Sequence, residues 1–111
     1  MKKFFNNVDE ILTESLSGFN DAHNDIIEVK FKPDFVARKQ KSPQPKVALI
    51  SGGGSGHEPL HGGFVGYGML DAACPGQVFS APTPDQMEAA ANHVHSGKGI
   101  LFIVKNYSGD I

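Results

Sequence analysis

Residues 47–57 read VALISGGGSGH, an apolar run that changes abruptly into a run rich in glycine. The apolar residues 47–50 are typical of a strand that is buried on both faces of a parallel sheet. The glycines predict that this strand ends in a loop over residues 51–56, where the backbone turns sharply or approaches another group closely. A second apolar run, residues 99–104, precedes a second polar stretch at residues 105–110. The two runs predict two buried strands, each followed by a polar loop.

The segment between these runs has the pattern of a crossover connection. Thr83, Pro84 and Gln86 match the N-cap, first-turn proline and capping-box glutamine of a helix start. We expect this helix to follow a short strand at residues 77–80 and to end at Gly97. Its predicted buried face comprises Met87, Ala90, Ala91 and Val94. The order of strand, glycine loop, strand, helix and strand predicts an α/β fold with a mostly parallel sheet and crossover helices.

The chain before residue 47 predicts a further helix and strand. The apolar stripe of the helix consists of Phe4, Phe5, Val8, Ile11, Leu12 and Leu16. Gly18 is expected to end this helix, because glycine readily adopts the left-handed conformation of a helix terminus. Alternation of apolar and charged residues predicts a half-buried strand over residues 27–32, which residues 35–37 extend. Residues 38–46 are interpreted as a solvated loop, the alternative being a basic patch that binds a ligand.

Length and charge argue against several classes of protein. The 111 residues suffice for one domain, and the net charge of −2 disfavours a nucleic-acid surface, which needs clustered Lys and Arg. The single cysteine, Cys74, is interpreted as a small buried residue in a reducing compartment, and no apolar run approaches the ~20 residues that span a bilayer. We therefore expect a cytoplasmic domain that binds neither nucleic acid nor membrane. Because the chain stops just after a predicted buried strand, residues 1–111 are expected to be the N-terminal part of a longer protein.

Two polar loops follow the predicted buried strands at their carboxyl ends, where open parallel sheets bind their ligands. If the two strands are neighbours, the loops converge and bring together His57, Lys105 and Asp110. An imidazole, an ammonium and a carboxylate beside glycine N–H groups suit a small polyhydroxylated or carbonyl ligand and the removal of a proton from it. The alternative is that the glycines serve only tight packing of the strand against the following helix.

Residues 57–61, His-Glu-Pro-Leu-His, also match the zinc-peptidase sequence H-E-x-x-H. In that site both histidines lie on one face of an established helix, whereas Pro59 is compatible only with the first turn of a helix. We therefore predict no metal site, Asp110 being the remaining candidate for a third ligand. His93 and His95 are expected at the end of the second helix, where the helix dipole favours a cation.

Five segments carry a resemblance to a known family: SGGGSGHEP at 51–59, HGGFVGYGM at 61–69, ACPG at 73–76, PTPD at 82–85 and KNYSGD at 105–110. Together they resemble the substrate-binding subunit of dihydroxyacetone kinases, and the likeness extends over the whole chain. The residues that the resemblance places at dihydroxyacetone are Gly54, Ser55, Gly56, His57, Lys105 and Asp110. It further implies that Asp110 takes the proton of the attacking hydroxyl while His57 orients the substrate, although the spacing is equally compatible with the opposite order.

The resemblance also implies which groups lie outside residues 1–111. This segment is expected to bind no cofactor, since ADP or ATP with Mg²⁺ belongs to a nucleotide-binding kinase subunit or domain. In bacterial systems a phosphotransferase subunit recharges that nucleotide, and the dihydroxyacetone-binding subunit is expected to form a homodimer. The histidine that holds the ketone covalently belongs to the second half of the family's chain, so the segment alone is expected to be inactive. The alternative is a non-catalytic relative that binds dihydroxyacetone and activates a transcription regulator.

Overall fold

A computed structural model describes residues 10–39, 45–56, 60–78 and 80–105 of the chain. In chain order the elements are helix α1 (Ile11–His23), strands β1 (Ile27–Lys30), β2 (Phe35–Arg38) and β3 (Ala48–Ser55), a 3₁₀ turn (Gly62–Phe64), strand β4 (Ala72–Val78), helix α2 (Pro84–Val94) and strand β5 (Ile100–Ile103). The strands form one five-stranded sheet in the order β1-β2-β4-β3-β5. Neither of the two helices in these ranges is long and apolar enough to cross a membrane.

The sheet is parallel on one side and antiparallel on the other. Strand β3 pairs in parallel with β4 and with β5, whereas β2 pairs in antiparallel fashion with β1 and with β4. Helix α2 lies between β4 and β5 in the chain and connects two parallel strands that flank β3. The predicted α/β fold, with a sheet that is mostly parallel at its core, is confirmed.

The two helices pack on opposite faces of the sheet. Leu12 and Leu16 of α1 belong to one apolar cluster together with Val36 of β2. Ala90 of α2 belongs to a second cluster, which includes Phe35 of the same strand. Successive side chains of a strand point to opposite faces, so β2 contributes alternately to the two clusters. The result is a three-layer arrangement with the parallel strands in the middle layer.

Helix α1 continues beyond the residue that was expected to end it. Gly18 lies in the interior of the helix, which runs on to His23 and is followed by Asn24 with helical dihedral angles. The prediction that Gly18 ends the helix is therefore wrong. Leu12 and Leu16 before the glycine and Phe19 after it pack in the same apolar cluster, so tertiary contacts stabilise the helix on both sides of an unfavourable glycine and outweigh its local preference. Residues 4–8 of the predicted stripe lie outside the described residues.

Residues 27–38 form a hairpin and not one extended strand. Strands β1 and β2 pair in antiparallel register, with Ile27 opposite Arg38 and Lys30 opposite Phe35. The four residues 31–34 turn the chain, and Lys32 adopts a positive φ of 58° in this turn. The predicted strand is confirmed over residues 27–30, but its extension through residues 35–37 is wrong because Pro33 lies in a turn.

Strand β3 continues through most of the glycine run. Residues 51–55 are part of the strand and only Gly56, with φ of 111°, turns the chain. The predicted loop over residues 51–56 is therefore wrong in all but its last residue. A Cβ added at Gly52 would lie 2.6 Å from the carbonyl oxygen of Cys74 in β4. Glycine is required there because β3 and β4 come too close for any side chain.

Strand β4 begins earlier than the sequence predicts. It spans Ala72–Val78, whereas the strand was expected at residues 77–80. Its first residues, Ala72, Ala73 and Cys74, pair with β3 and are at most 1% exposed. Small residues lack the β-branched side chains that indicate a strand in sequence, yet they suit a strand that is covered on both faces.

Helix α2 begins as its local sequence predicts, but it ends at Val94, so the prediction that Gly97 ends it is wrong, because the backbone is already extended at the C-cap His95. The Thr83 side chain accepts a hydrogen bond from the Gln86 backbone N–H, and the Gln86 side chain accepts one from the Thr83 backbone N–H. Gln86 also donates through Nε2 to the carbonyl oxygens of Asp34 and Pro75, at 2.8 and 2.6 Å. The same glutamine thus caps the helix and attaches it to the β1–β2 hairpin and to β4.

Strand β5 is less buried than its sequence predicts. Leu101, Phe102 and Ile103 are 40–53% exposed, because β5 is the edge strand of the sheet in the described part of the chain. The predicted strand is confirmed, but the expectation that it is a buried strand is wrong for these residues. Ile100 alone of the strand packs against the α2-side cluster.

Asp71 joins the segments at the amino-terminal edge of the parallel strands. Its Oδ1 accepts a hydrogen bond from the Arg38 guanidinium at 3.2 Å, and its Oδ2 accepts from the Leu49 backbone N–H at 2.8 Å and from the Lys46 ammonium. Burial alone would raise the pKa of Asp71, but the hydrogen bonds from Lys46, Leu49 and Arg38 and the charge of Lys46 hold that pKa below its usual value. Arg38 and Lys46 therefore belong neither to a solvated loop nor to a free basic patch.

Replacing Asp71 is expected to weaken the fold in a pH-dependent way. Because the folded-state pKa is lowered, the ionised carboxylate stabilises the protein above the unfolded pKa of about 4, and this stabilisation is lost as the pH falls through the folded pKa. Asp71→Asn should lower the free energy of unfolding by about 2–3 kcal/mol at pH 7. Denaturant titrations between pH 2.5 and 7 measure this, and the difference between variant and wild type should shrink below about pH 4. A constant difference across this range, or no larger a loss than for the exposed Asp21→Asn, contradicts the assignment.

Replacing Gly18 by alanine is expected to stabilise the protein. Apart from its chain neighbours and the backbone of its own helix, no atom lies within 4 Å of the position that a Cβ would take. Since the residue is helical, Gly18→Ala should raise the free energy of unfolding by about 0.5–1 kcal/mol. Gly97→Ala is the matched control, because that position is equally open but has a φ of 94°, and there the substitution should destabilise. Chemical denaturation of both variants tests this, and destabilisation by Gly18→Ala would show that the helix ends at this residue.

Candidate functional site

The two predicted ligand-binding loops start from neighbouring strands. β3 and β5 are parallel and adjacent, and Ser51 of β3 is in register with Ile103 of β5. Both chains therefore emerge at the same edge of the sheet, the edge at which parallel sheets bind their ligands. The condition on which the predicted convergence depends, that these strands are neighbours, is met.

Lys105 lies beside the glycine run. A Cβ added at Gly53 would lie 3.7 Å from Cδ of Lys105, so the lysine side chain passes alongside the bare backbone of β3. This contact joins the end of the β5 segment to the glycine segment. The lysine side chain thus belongs to the same edge of the sheet as Gly54, although the two residues are distant in sequence. His57 and Asp110, the predicted acid–base residues, lie outside the described residues.

Gly54, Ser55 and Gly56 form the end of β3 and the turn that follows. Ser55 is 7% exposed, and its Oγ donates a hydrogen bond to the carbonyl oxygen of Gly76 at 2.8 Å. Because the single hydroxyl hydrogen is donated to Gly76, the Ser55 hydroxyl oxygen can only accept a hydrogen bond from a ligand, and the backbone N–H is the remaining donor of the residue. Its hydroxyl fastens the end of β3 to β4, close to the turn at Gly56.

His61 is part of this edge of the sheet, and the sequence prediction did not assign it there. Its Nδ1 lies 3.2 Å from Oγ of Ser51, and its ring covers Gly53, where an added Cβ would lie 3.2 Å from Nε2. This histidine is the last residue of the H-E-x-x-H sequence and the first residue of segment 61–69, but the sequence prediction assigned it no role at the site. Its spacing of four residues from His57 was the signal that could have placed it near the site. That spacing was considered only as part of a metal-binding sequence, and not as evidence that His61 packs on a strand.

The described residues contain no group of three histidines, cysteines or acids that could hold a metal ion. His57 and Glu58 of the H-E-x-x-H sequence lie outside these residues, and so does Asp110. What the structure does show is that His61 follows a turn and precedes the 3₁₀ turn, so it is not on an α-helix. That arrangement differs from the helix on which the two histidines of the peptidase sequence bind zinc.

Two cavities flank the parallel strands. One, of about 400 Å³, lies between α1 and the end of β3 and has a mainly apolar lining that includes Leu16, Phe19 and Leu60 beside Gly54 and His61. The other, of about 210 Å³, lies at the opposite edge, where Arg38 and Lys46 form their ion pairs with Asp71. The first cavity adjoins the glycine segment and Ser55, whereas the cations lining the second already neutralise a carboxylate.

Cys74 and the histidines of α2 have structural roles. Cys74 is fully buried, and burial raises the pKa of its thiol to about 12, so it is not a nucleophile, as the sequence predicts. His93 lies in the last turn of α2 and His95 at its C-cap, as expected. The His93 ring also lies 2.6 Å from the Glu28 carboxylate and against Phe35, so it links α2 to the hairpin.

The chain is similar to known proteins over its whole length. Residues 17–111 match the model of the Dak1 domain. The dihydroxyacetone-binding subunit DhaK of the PEP-dependent dihydroxyacetone kinase of Escherichia coli (strain K12) is 49% identical over 111 residues, which cover 100% of this chain and 31% of that protein. The chain therefore spans about a third of the length of this relative.

Two solved structures are similar in fold and in sequence. The dihydroxyacetone kinase of C. freundii, in complex with AMP-PNP and Mg²⁺, superposes with a TM-score of 0.89 at 39% identity, over 98% of this chain and 21% of that one. The dihydroxyacetone kinase operon co-activator Dha-DhaQ superposes with a TM-score of 0.78 at 37% identity, over 90% of this chain and 30% of that one. The described fold thus occurs in an enzyme and in a regulator.

The burial of Cys74 gives a direct chemical test. Because the thiolate is the reactive form and the folded protein disfavours it, alkylation at pH 8 should be about 100-fold or more slower in the native protein than after unfolding in guanidinium. The measurement is the iodoacetamide modification of the peptide that contains Cys74, followed by mass spectrometry. Rapid modification of native protein would show that the segment around β4 is open to solvent.

Proposed function

The chain belongs to the Dak1 domain family, and from that premise we propose that it is the N-terminal part of a subunit that binds dihydroxyacetone and presents one of its hydroxyl groups for phosphorylation. The observation that carries the proposal is the adjacency of Lys105 and Gly53 at the carboxyl edge of β3 and β5. Two sequence segments that resemble the family's substrate site therefore meet at one place in the fold. Relatives with names that contain dihydroxyacetone kinase support the same class of reaction.

The proposed contacts follow from the chemistry of the side chains. The Lys105 ammonium donates hydrogen bonds to the oxygens of the three-carbon ligand. Gly54 and Gly56 allow the ligand to approach the backbone, and Ser55 holds that backbone through its bond to Gly76. His57 orients the ligand by a hydrogen bond from or to its imidazole. These groups together recognise a small, neutral molecule rich in oxygen.

Asp110 is the proposed base. Its carboxylate accepts the proton of the ligand hydroxyl as that oxygen forms a bond to phosphorus, and the bond from phosphorus to the leaving oxygen of the donor breaks. The products are dihydroxyacetone phosphate and the donor without its phosphoryl group. Residues 1–111 are one part of this site, and a histidine in the remainder of the longer protein is proposed to hold the ketone covalently.

The phosphoryl donor is proposed to reside with Mg²⁺ on a separate subunit or domain, either as ATP or as a bound ADP that a phosphotransferase subunit first recharges with a phosphoryl group. In this chain the glycine run continues strand β3, whereas phosphate-binding loops place their N–H groups at the start of a helix. The glycine run therefore differs from a phosphate-binding loop, which supports a nucleotide site elsewhere. The bound donor would supply the electrophilic phosphorus, and this chain would supply the oriented hydroxyl. A phosphotransferase subunit as further partner, a homodimeric assembly and a cytoplasmic location belong to the same proposal.

A regulatory protein is the second candidate. The likeness to the co-activator Dha-DhaQ over 90% of this chain favours it, since that protein has the same fold. In this alternative the chain belongs to a protein that binds dihydroxyacetone and activates a transcription regulator without phosphorylating the ligand. Lys105, His57 and Asp110 are compatible with both functions, because the same hydrogen bonds bind the ketone in each.

Asp110→Asn separates the proposed roles in the full-length protein combined with its nucleotide-binding partner. The variant should lower the rate of dihydroxyacetone phosphate formation about 100-fold or more, because a general base is lost, while dihydroxyacetone affinity changes only severalfold. Coupled enzymatic detection of the product and calorimetry with dihydroxyacetone measure the two effects. Glu88→Gln, which removes an exposed carboxylate of α2, is the matched control and should change neither.

The outcomes distinguish the two candidates. If the wild type forms product and Asp110→Asn does not, the kinase is supported. Binding of dihydroxyacetone by the wild type without any product, in the presence of partner and donor, supports the regulator. Wild-type rates in Asp110→Asn would contradict the role given to Asp110, and no binding of dihydroxyacetone by the wild type would contradict both functions.

A further inference from the structure

A buried hydroxyl connects three segments at the carboxyl edge of the parallel strands. Ser51 of β3 is 1% exposed and its Oγ lies 2.7 Å from the carbonyl oxygen of Ile103, a residue 52 positions later. The same Oγ lies 3.2 Å from Nδ1 of His61. Ser51 thus contacts both the last residue of β5 and the segment that follows the glycine run.

The direction of these hydrogen bonds is determined by counting hydrogens. A carbonyl oxygen can only accept, so the single hydroxyl hydrogen of Ser51 is donated to Ile103. The contact with His61 must then be a hydrogen bond from Nδ1–H of the imidazole to the Ser51 oxygen. In the neutral ring this places the hydrogen on Nδ1 and makes Nε2 the acceptor. Ser51 therefore selects one tautomer of His61.

The ring of His61 lies close against β3 at a position where residue 53 has no side chain. Ser51 and Gly53 are two positions apart and face the same side of the strand. A Cβ at Gly53 would be 3.2 Å from Nε2 and 3.3 Å from Cδ2 of His61, and 3.7 Å from Cδ of Lys105. The imidazole and the lysine side chain therefore converge on the same bare stretch of backbone.

We propose that Ser51 and His61 form a positioning pair that sets the distance between the segment after β3 and Lys105 at the end of β5. The inference rests on the proposed function, because it makes the pair responsible for the shape of the dihydroxyacetone site. Ser51 holds the end of β5 two residues before Lys105, and it holds His61 four residues after His57. His61 acts through these neighbours and is not a metal ligand, since Nδ1 is engaged by Ser51 and Nε2 faces Gly53.

Variants of the full-length protein can separate this role from simple packing. Ser51→Ala removes the acceptor for His61 and the donor to Ile103, and His61→Gln removes the donor at the Nδ1 position. His61→Asn is the conservative variant, because its amide N–H can occupy the position of Nδ1–H. Ser96→Ala is the matched control, since it removes a hydroxyl that binds the Lys46 backbone at the opposite edge of the sheet.

The first readout does not depend on any ligand. In protein labelled with ¹⁵N at histidine and ¹³C at lysine, wild-type His61 should show the Nδ1–H tautomer. Ser51→Ala should give a mixture of tautomers and should shift the ε-methylene resonance of Lys105, while Ser96→Ala should change neither. If His61 in the wild type carries its hydrogen on Nε2, or if Lys105 does not respond to Ser51→Ala, the proposed pair is wrong whatever the protein binds.

The second readout is dihydroxyacetone affinity by calorimetry. Ser51→Ala and His61→Gln should each weaken binding about fivefold to tenfold, the size expected for one hydrogen bond, and His61→Asn should restore most of it. Loss of affinity in His61→Asn equal to that in His61→Gln would overturn the proposal, because it would show that ring volume alone matters. Absence of wild-type binding would contradict the proposed function, while the spectra would still decide whether the pair exists.

If Ser51→Ala fails to fold, the comparison of His61→Asn with His61→Gln tests the same proposal. Both replacements leave Ser51 and its hydrogen bond to Ile103 in place, and thermal unfolding shows whether both are folded. Folded variants with indistinguishable Lys105 resonances and equal affinities contradict the proposal. A difference in both measurements, in favour of His61→Asn, supports it.

Discussion

The lack of side chains at Gly52 and Gly53 is the constraint on which the candidate site depends. At Gly52 an added Cβ would lie 2.6 Å from the Cys74 carbonyl oxygen, so the central strand β3 could not lie where it does against β4. At Gly53 it would lie 3.2 Å from the His61 ring, which would then have to shift by a few tenths of an ångström away from the strand. One pair of glycines thus permits both the close pairing of the parallel strands and the assembly of the site at their carboxyl ends.

The amino-terminal and carboxyl-terminal edges of the parallel strands have different roles. At the amino-terminal edge Asp71 binds Arg38, Lys46 and the Leu49 backbone, so both cations there are engaged by one buried carboxylate and stabilise the fold. At the carboxyl edge, Lys105 approaches a backbone without side chains. The Lys105 side chain beside backbone that bears no side chain can donate to the oxygen atoms of a ligand that approaches this edge. Because parallel sheets bind their ligands at their carboxyl ends, this contact supports the carboxyl edge as the ligand site.

The sequence predictions succeeded where local interactions decide the structure. The capping box of Thr83 and Gln86 involves residues three positions apart, so it can be recognised without knowledge of the fold, and α2 begins where predicted. The prediction for Gly18 was wrong because the contacts of Leu16 before it and Phe19 after it outweigh the preference of a single residue. Strand β4 was misplaced because its small residues are selected by close neighbours on both faces, which no local pattern reveals.

The amino-acid sequence by itself determined the α/β class, the start of helix α2, the burial of Cys74 and the residue types that a binding site for an oxygen-rich molecule requires. These could be predicted because composition, capping and apolar runs are local properties. Only the tertiary structure decided that the glycine run is a strand, that β3 and β5 are neighbours, and that Ser51 and His61 belong to the edge where Lys105 lies. The physical reason is that these contacts join residues as far as 52 positions apart, and their energies depend on distances that exist only in the folded chain.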